Sequence, residues 1–306
     1  MADSKPVTTL KLRKMKEEGT PIVMVTAYDY PSAMLAEEAG ADMILVGDSL
    51  GNVVLGYDST IPVTLNDMIH HSRAVNRGAK RAFVVTDLPF LTYHGSLDTT
   101  IANVARVMQE GGSKAVKMEG GREIATAVDA IVKAGVPVIG HVGLTPQSVH
   151  MLGGYRVQGK NDAQVAKLKD DVRALEQAGA TAIVLELVTD ELAAEITRDL
   201  SIPTIGIGSG AGCDGQVLVF HDLLQYEAHP VSKRFVKTYA NIGQDIRSAL
   251  SAYAQDVRTR EFPAPEHAFK AAKPGQEKQG NAQVSGQAAA QADAHEDAGV
   301  LYGAGK

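Results

Sequence analysis

The chain has 306 residues, 44% of them hydrophobic, and a net charge of -6. That is enough apolar material for one large core or two medium ones, and the acidic balance argues against nucleic acid as the main partner. No apolar run approaches the roughly 20 residues that span a bilayer, and the charged start MADSKPVTTLKLRKMKEEG is not followed by the apolar stretch of a secretory signal. Cys213 is the sole cysteine, so it has no partner for an intrachain disulfide. A reducing cytoplasm is the expected compartment, with Cys213 a bystander thiol and not a nucleophile.

In chain order, Thr8–Gly19 reads as a short helix placed to plug the bottom of a barrel. Eight Val- and Ile-rich runs then follow: Ile22–Thr26, Met43–Gly47, Ala82–Thr86, Ala115–Met118, Val136–Gly140, Ala182–Leu187, Pro203–Ile207 and Val217–Phe220. Most do not alternate, as expected of strands buried on both faces. Between them lie helical patterns such as TLNDMIHHSRAVNRG and NDAQVAKLKDDVRALEQAGA. Several of these end at a glycine (Gly40, Gly135, Gly179), which stops a helix without a Cβ penalty.

Strand and helix alternating eight times predict a (β/α)₈ TIM barrel with an N-terminal helix. The rival, a doubly wound sheet, lacks its glycine fingerprint after Thr26. Only about eight residues, SGAGCDGQ, separate strands seven and eight, so a single helical turn is expected there instead of a full helix. Their glycines formally match GxGxxG but precede a strand. They read as a tight turn at the mouth, able to form an anion-binding rim. Lys233–Arg260 reads as a long closing helix. The barrel domain is placed at 1–271 and a low-complexity tail at 272–306. Ala, Gly and Gln make up 19 of the 34 residues from Lys273 to Lys306, a composition that predicts disorder.

Four of the strands end in charge: Asp48, Asp87, the pair Lys117 and Glu119, and Glu186. A buried strand that finishes in charge is costly unless the charge has a use. Side chains alternate, so Lys117 and Glu119 share a face, as do Val46 and Asp48, Val85 and Asp87, and Val184 and Glu186. Each is expected to extend an interior column into the mouth at the C-terminal ends of the strands, where barrels keep their catalytic groups. Asp48 and Asp87 taken individually also fit as helix N-caps; Glu119 and Glu186 do not, because Glu caps poorly.

Asp48, Asp87 and Glu119 are candidates to hold a hard divalent cation, Mg²⁺ first. Lys117 would receive a substrate carboxylate or serve as a counter-ion to Asp87 or Glu119. Glu186, held in an apolar wall, is expected to have a raised pKa suited to a general base. His141 would touch substrate or be held by hydrogen bonds in the barrel. His70 and His71 lie within a helix and read as structural or surface residues. Thr145 and Pro146 read as an N-cap and first helical residue.

Together these residues resemble the ketopantoate hydroxymethyltransferase family. The segments that carry the resemblance include TAYDYPSAMLAEEAGADMILVGDSLGNVVLGYDSTIPVT, VVTDLPF, AVKMEGG, GHVGLTPQS, VLELV, IPTIGIGSG, DGQVLVFHD and FPAPEH, running in family order from about residue 7 to about residue 270. Thr92, Ser209 and Thr189 depart from the family's common residues, and none is a candidate metal ligand. The resemblance implies a metal site of Asp48, Asp87 and Glu119, with one Mg²⁺ per subunit. It places Ser49 and Lys117 on the 2-oxo acid and makes Glu186 the proton acceptor. It implies transfer of a hydroxymethyl group from 5,10-methylenetetrahydrofolate to 3-methyl-2-oxobutanoate through a Mg-stabilised enolate. The product would be 2-dehydropantoate, in the first step of pantothenate synthesis. It further implies a cytoplasmic homodecamer acting on small molecules, with no nucleic-acid or membrane partner. Two rivals stand beside it. One is another Mg²⁺ barrel enzyme of the phosphoenolpyruvate mutase and isocitrate lyase group, some of whose lyases carry a catalytic cysteine. The other is a non-catalytic barrel that senses a 2-oxo acid or folate.

Overall fold

The computed structural model describes residues 5–270; the tail assigned to 272–306, with its expected disorder, lies outside the described residues. A helix α1 (Thr9–Glu17) precedes eight strands: β1 (Ile22–Thr26), β2 (Met43–Val46), β3 (Phe83–Asp87), β4 (Ala115–Glu119), β5 (Val138–Gly143), β6 (Ala182–Glu186), β7 (Thr204–Ile207) and β8 (Gly215–Leu218). They pair in parallel, each with the next, and β8 closes on β1. This is the closed TIM barrel expected.

The main crossover helices are α2 (Tyr30–Glu38), α4 (Leu65–Gly78), α5 (Leu97–Gln109), α6 (Ala125–Lys133), α8 (Asp162–Gln177) and α9 (Asp190–Asp199). Short turns of helix, α3 (Leu50–Val53) and α7 (Val149–Leu152), lie in the loops after β2 and β5, and α10 (Phe220–Leu224) follows β8. Side-chain caps set the starts of α2, α4, α5 and α8, as where Thr64 and Asp67 satisfy each other's backbone N–H. Gly40 and Gly135 lie past the ends of α2 and α6 at φ +96° and +92°, where a side chain would be strained.

Inside the ring, Ile22, Met24, Met43, Leu45, Phe83, Val85, Ala115, Ile139, Val184 and Ile205 form one apolar cluster. Alternate residues on the same strands, such as Ile44, Val84, Val116 and Ile183, face the helices instead. From β2 to β7 both faces are therefore dry, which is why those strands read as continuous apolar runs, whereas β1 and β8 expose Val23 and Gln216 on the outer face. Leu12 and Met15 join the interior cluster from α1, with Val7 from the segment just before it, so the N-terminal helix closes the bottom. Lys16 fixes it there: its Nζ lies 2.8 Å from Asp214 Oδ2 and donates to Thr197 O at 2.7 Å.

Two details differ from expectation. No helical turn joins β7 to β8; residues 208–214 form bends only. A side chain on Gly210 would strike Asp190 and one on Gly212 would strike Ala194, so the glycines let this short crossover lie flat against α9. Nor does the closing helix start at Lys233. It is α11 (Ile242–Thr259). Before it, Phe235 packs against the interior cluster and Lys233 pairs with Asp222, so tertiary contacts override a helical pattern. The described chain divides into two units, 5–250 and 251–270. In the described part of the second, Phe262 meets Tyr253 edge-on at 5.6 Å and His267 at 5.1 Å.

Candidate active site

A cavity of about 840 Å³ opens at the C-terminal ends of the strands. Asp48, Ser49, Asp87, Lys117, Glu119, His141 and Glu186 all line it, so every site residue expected from the sequence meets at one place. The strand register explains most of this. Asp87 pairs with Lys117, Glu119 with His141, and Gly143 with Glu186, setting their side chains in neighbouring interior columns.

Asp48 arrives by another route. Leu45, not Val46, faces the interior; Val46 packs outward against the helices. The inward position after Leu45 is Gly47, where a Cβ would stand 2.8 Å from Ser49 Oγ. The strand ends at Val46, and the following turn swings Asp48 and Ser49 into the cavity. The alternation argument therefore holds for Asp87, Lys117, Glu119 and Glu186 but fails for Asp48. Nor is Asp48 a side-chain cap: it accepts from Gln147 Nε2 at 2.8 Å.

The polar network is dense. Lys117 Nζ stands 2.8 Å from Asp87 Oδ1, 3.9 Å from Glu119 Oε1 and 3.2 Å from His141 Nδ1. Asp87 Oδ2 accepts from the backbone N–H of Asp48 at 3.0 Å. His141 Nδ1 lies 3.3 Å from Glu119 Oε1, and its Nε2 lies 3.2 Å from Glu186 Oε2. Tyr28 and Ser49 share a hydroxyl–hydroxyl bond of 2.8 Å. Lys117 is thus a counter-ion to Asp87, and it faces the cavity as well. Glu186 is not sealed in an apolar wall: its side chain is 16% exposed and faces His141.

Burial, then the charges of Asp87 and Glu119, push the Asp48 carboxyl well above the usual range. Burial also raises Asp87, with Lys117 opposing it. Burial would raise Glu119 too, but His141 and Lys117 outweigh it and hold that carboxyl low. For Lys117, burial is overcome by Asp87, Glu119 and Asp48, so its ammonium is held charged. Burial and Lys117 pull His141 down, yet Glu119 and Glu186 prevail and raise it to about 9.

The His141 shift predicts a pH effect in metal-free protein. A histidine whose folded pKa is raised adds stability that is fully present below its unfolded value of about 6.5. That stability is lost as pH rises through about 9. The loss should amount to about 3 kcal/mol or less. Urea unfolding from pH 6.5 to 9.5 measures it. A His141→Gln protein with the same alkaline slope would show that the effect arises elsewhere.

Around Lys117 and His141 stand four acidic side chains, Asp48, Asp87, Glu119 and Glu186. Among the described residues, no three His, Cys, Asp or Glu side chains already stand around one point as ligands. Both oxygens of Glu119 are engaged: Oε2 accepts from Gln147 N at 3.0 Å, and Oε1 faces Lys117 and His141. Asp87 Oδ1 is buried and accepts no well-directed hydrogen bond despite its nearness to Lys117. The unsatisfied acceptor capacity thus lies on the Asp48–Asp87 side.

Other expectations resolve simply. His71 Nδ1 lies 2.5 Å from Tyr28 O, a structural contact made from α4. Thr145 and Pro146 open a 3₁₀ turn, without a side-chain cap. The glycine-rich 208–215 stretch is not part of the cavity lining. Cys213 packs against the outer core and does not line the cavity either. Sequence reasoning missed Tyr28, Tyr93, Gln147 and the cavity-lining stretch Tyr226–Lys233. The one local signal for Gln147 is its place just after Pro146.

Comparison with known proteins gives a consistent result. The family model described as ketopantoate hydroxymethyltransferase matches residues 6–265. A 3-methyl-2-oxobutanoate hydroxymethyltransferase of Geobacillus kaustophilus (strain HTA426) is 60% identical over 255 residues, covering 83% of this chain and 91% of the relative. A protein of the same name from Carboxydothermus hydrogenoformans is 56% identical over 263 residues, covering 86% and 95%. Among solved structures, 2,3-dimethylmalate lyase, described as a PEP mutase/isocitrate lyase superfamily member, aligns with a TM-score of 0.54 at 18% identity, over 85% of this chain and 92% of that one. Phosphoenolpyruvate phosphomutase from Streptomyces platensis subsp. rosaceus aligns at 0.52 and 17%, over 82% and 86%. At such identity these structures bear on the fold alone.

Proposed function

We propose, for a chain that belongs to the ketopantoate hydroxymethyltransferase family, the following assignment of its residues to that family's reaction. The chain is a 3-methyl-2-oxobutanoate hydroxymethyltransferase, acting at the first step of pantothenate biosynthesis. The observation that carries the assignment of roles is the meeting of Lys117, Ser49 and four carboxylates in one cavity.

The substrate's carboxylate would lie against Lys117 and Ser49. Lys117 keeps donor capacity beyond its contact with Asp87, and the Tyr28 hydroxyl orients Ser49. Glu186 enters from β6 and would take the proton from C3, which leaves that carbon nucleophilic toward the one-carbon unit. His141, beside Glu186, would steady the carboxylate between proton transfers. A positioned base is worth about 10²–10⁴ in rate. The one-carbon donor is 5,10-methylenetetrahydrofolate on this reading. A cavity of about 840 Å³ has room for a five-carbon acid and part of a larger donor.

The chemistry of the donor set fits Mg²⁺, which takes one or two carboxylates and fills its shell from substrate and solvent. Asp48 and Asp87 would hold it. Glu119, with both oxygens engaged, would add negative charge from beside them. Bound there, Mg²⁺ would polarise the 2-oxo group and acidify the adjacent C–H. Exhaustive chelation should abolish turnover and added Mg²⁺ should restore it, with Asp87→Asn needing more metal for the same rate. Full turnover in the chelated protein would refute the metal assignment.

A homodecamer in the cytoplasm completes the reading. Ile246, Leu250, Tyr253 and Val257 make an exposed apolar stripe on α11, surface that a second subunit could cover. Among the described residues, no helix is long and apolar enough to cross a membrane.

A further inference from the structure

We infer that Gln147 is a positioning residue for the acidic site: it holds Asp48 from behind the cavity wall, sets its place relative to Glu119, and so governs how firmly the site grips a divalent cation. The inference rests on the metal reading above. Gln147 is 4% exposed and is not part of the cavity lining.

Its bonds converge on the two carboxylates. The side-chain Nε2 donates to Asp48 Oδ2 at 2.8 Å and to Leu88 O at 3.0 Å, which uses both of its hydrogens. Oε1 meets the Tyr93 hydroxyl at 2.8 Å. Turned over, the amide would set its oxygen against two acceptors, so the partners determine its orientation. The backbone N–H of the same residue donates to Glu119 Oε2 at 3.0 Å. Pro146 opens the 3₁₀ turn Pro146–Ser148, whose first free N–H is this one. Tyr93 completes the frame. Its oxygen accepts from Glu119 N at 3.1 Å, and its one proton is within reach of Glu119 O or Gln147 Oε1.

A carboxylate tethered by one oxygen presents the other to the cavity without searching for its orientation. Loss of such a tether to a metal-binding group costs about 10–100-fold in metal affinity. Leucine at 147 keeps the bulk and the backbone bond to Glu119, and removes the hold on Asp48 together with the side-chain bonds to Leu88 O and the Tyr93 hydroxyl.

The test uses the full chain with Mn²⁺ as the probe, free ion being counted by electron paramagnetic resonance. Gln147→Leu should fold, as judged by circular dichroism, and its Kd for Mn²⁺ should rise about 10–100-fold. A folded Gln147→Leu protein whose Kd stays within twofold of wild type overturns the inference. If that variant does not fold, Tyr93→Phe decides on the same readout. It removes the hydroxyl that steadies Gln147 Oε1 and also bonds the Glu119 backbone, so a rise of about two- to tenfold supports the inference and an unchanged Kd overturns it. Failure of the wild-type protein to bind Mn²⁺ would instead remove the metal reading, and this inference with it.

Discussion

A Glu186→Gln protein should bind 3-methyl-2-oxobutanoate with near-native affinity and exchange its C3 proton with D₂O about 10²–10⁴-fold more slowly than wild type. The amide keeps the shape of the carboxylate at the end of β6 and its neighbour His141, but it cannot accept a proton at neutral pH. The exchange needs no one-carbon donor, so it isolates proton abstraction from transfer, and proton NMR follows it directly. Exchange at the wild-type rate would move the base elsewhere. His141 would be the next candidate, since it is the group beside Glu186.

The second large effect belongs to Lys117. It is buried among Asp87, Glu119 and Asp48, whose charges hold its ammonium charged against burial. Removing one member of a buried ion pair typically costs about 3–5 kcal/mol, because the other charge is left uncompensated. Lys117→Met should therefore lower the stability of the metal-free protein by roughly that amount. Added Mg²⁺ should recover part of the loss, since an ion that binds only the folded state stabilises it. The KM for the 2-oxo acid should rise as well. Urea unfolding with and without Mg²⁺, alongside steady-state kinetics, checks all three. A variant with wild-type stability and wild-type KM would show that Lys117 is neither counter-ion nor substrate ligand.

The barrel was legible because most of its strands, β2 to β7, are covered on both faces, and such strands leave continuous apolar runs in the chain. The charged ends were legible for the same reason, since charge after a dry run stands out. The exact route of Asp48 was not. Alternation gives the direction of a side chain only while the strand lasts, and β2 stops two residues short of Asp48. Gln147 stayed hidden because its meaning depends on partners distant in sequence: Asp48 is 99 residues away and Tyr93 is 54. Lys233–Asn241 misled for a related reason. Its pattern suits a helix, but Phe235 finds a better place against the interior cluster.

The joining of β8 to β1 bears on how the protein is made. Ile22 pairs with Gly215, roughly two hundred residues further along, so the first strand waits for nearly the whole barrel to be synthesised before its second neighbour exists. Pairings so distant in sequence are slow to form, because a long loop must be closed before any contact rewards it. Until then the nascent sheet carries two bare edges, each a template for another chain. A chain that stopped before Gly215 could never lose those edges. Such fragments should collect as aggregates, and chaperones that shield nascent chains should matter most in the interval before β8 leaves the ribosome.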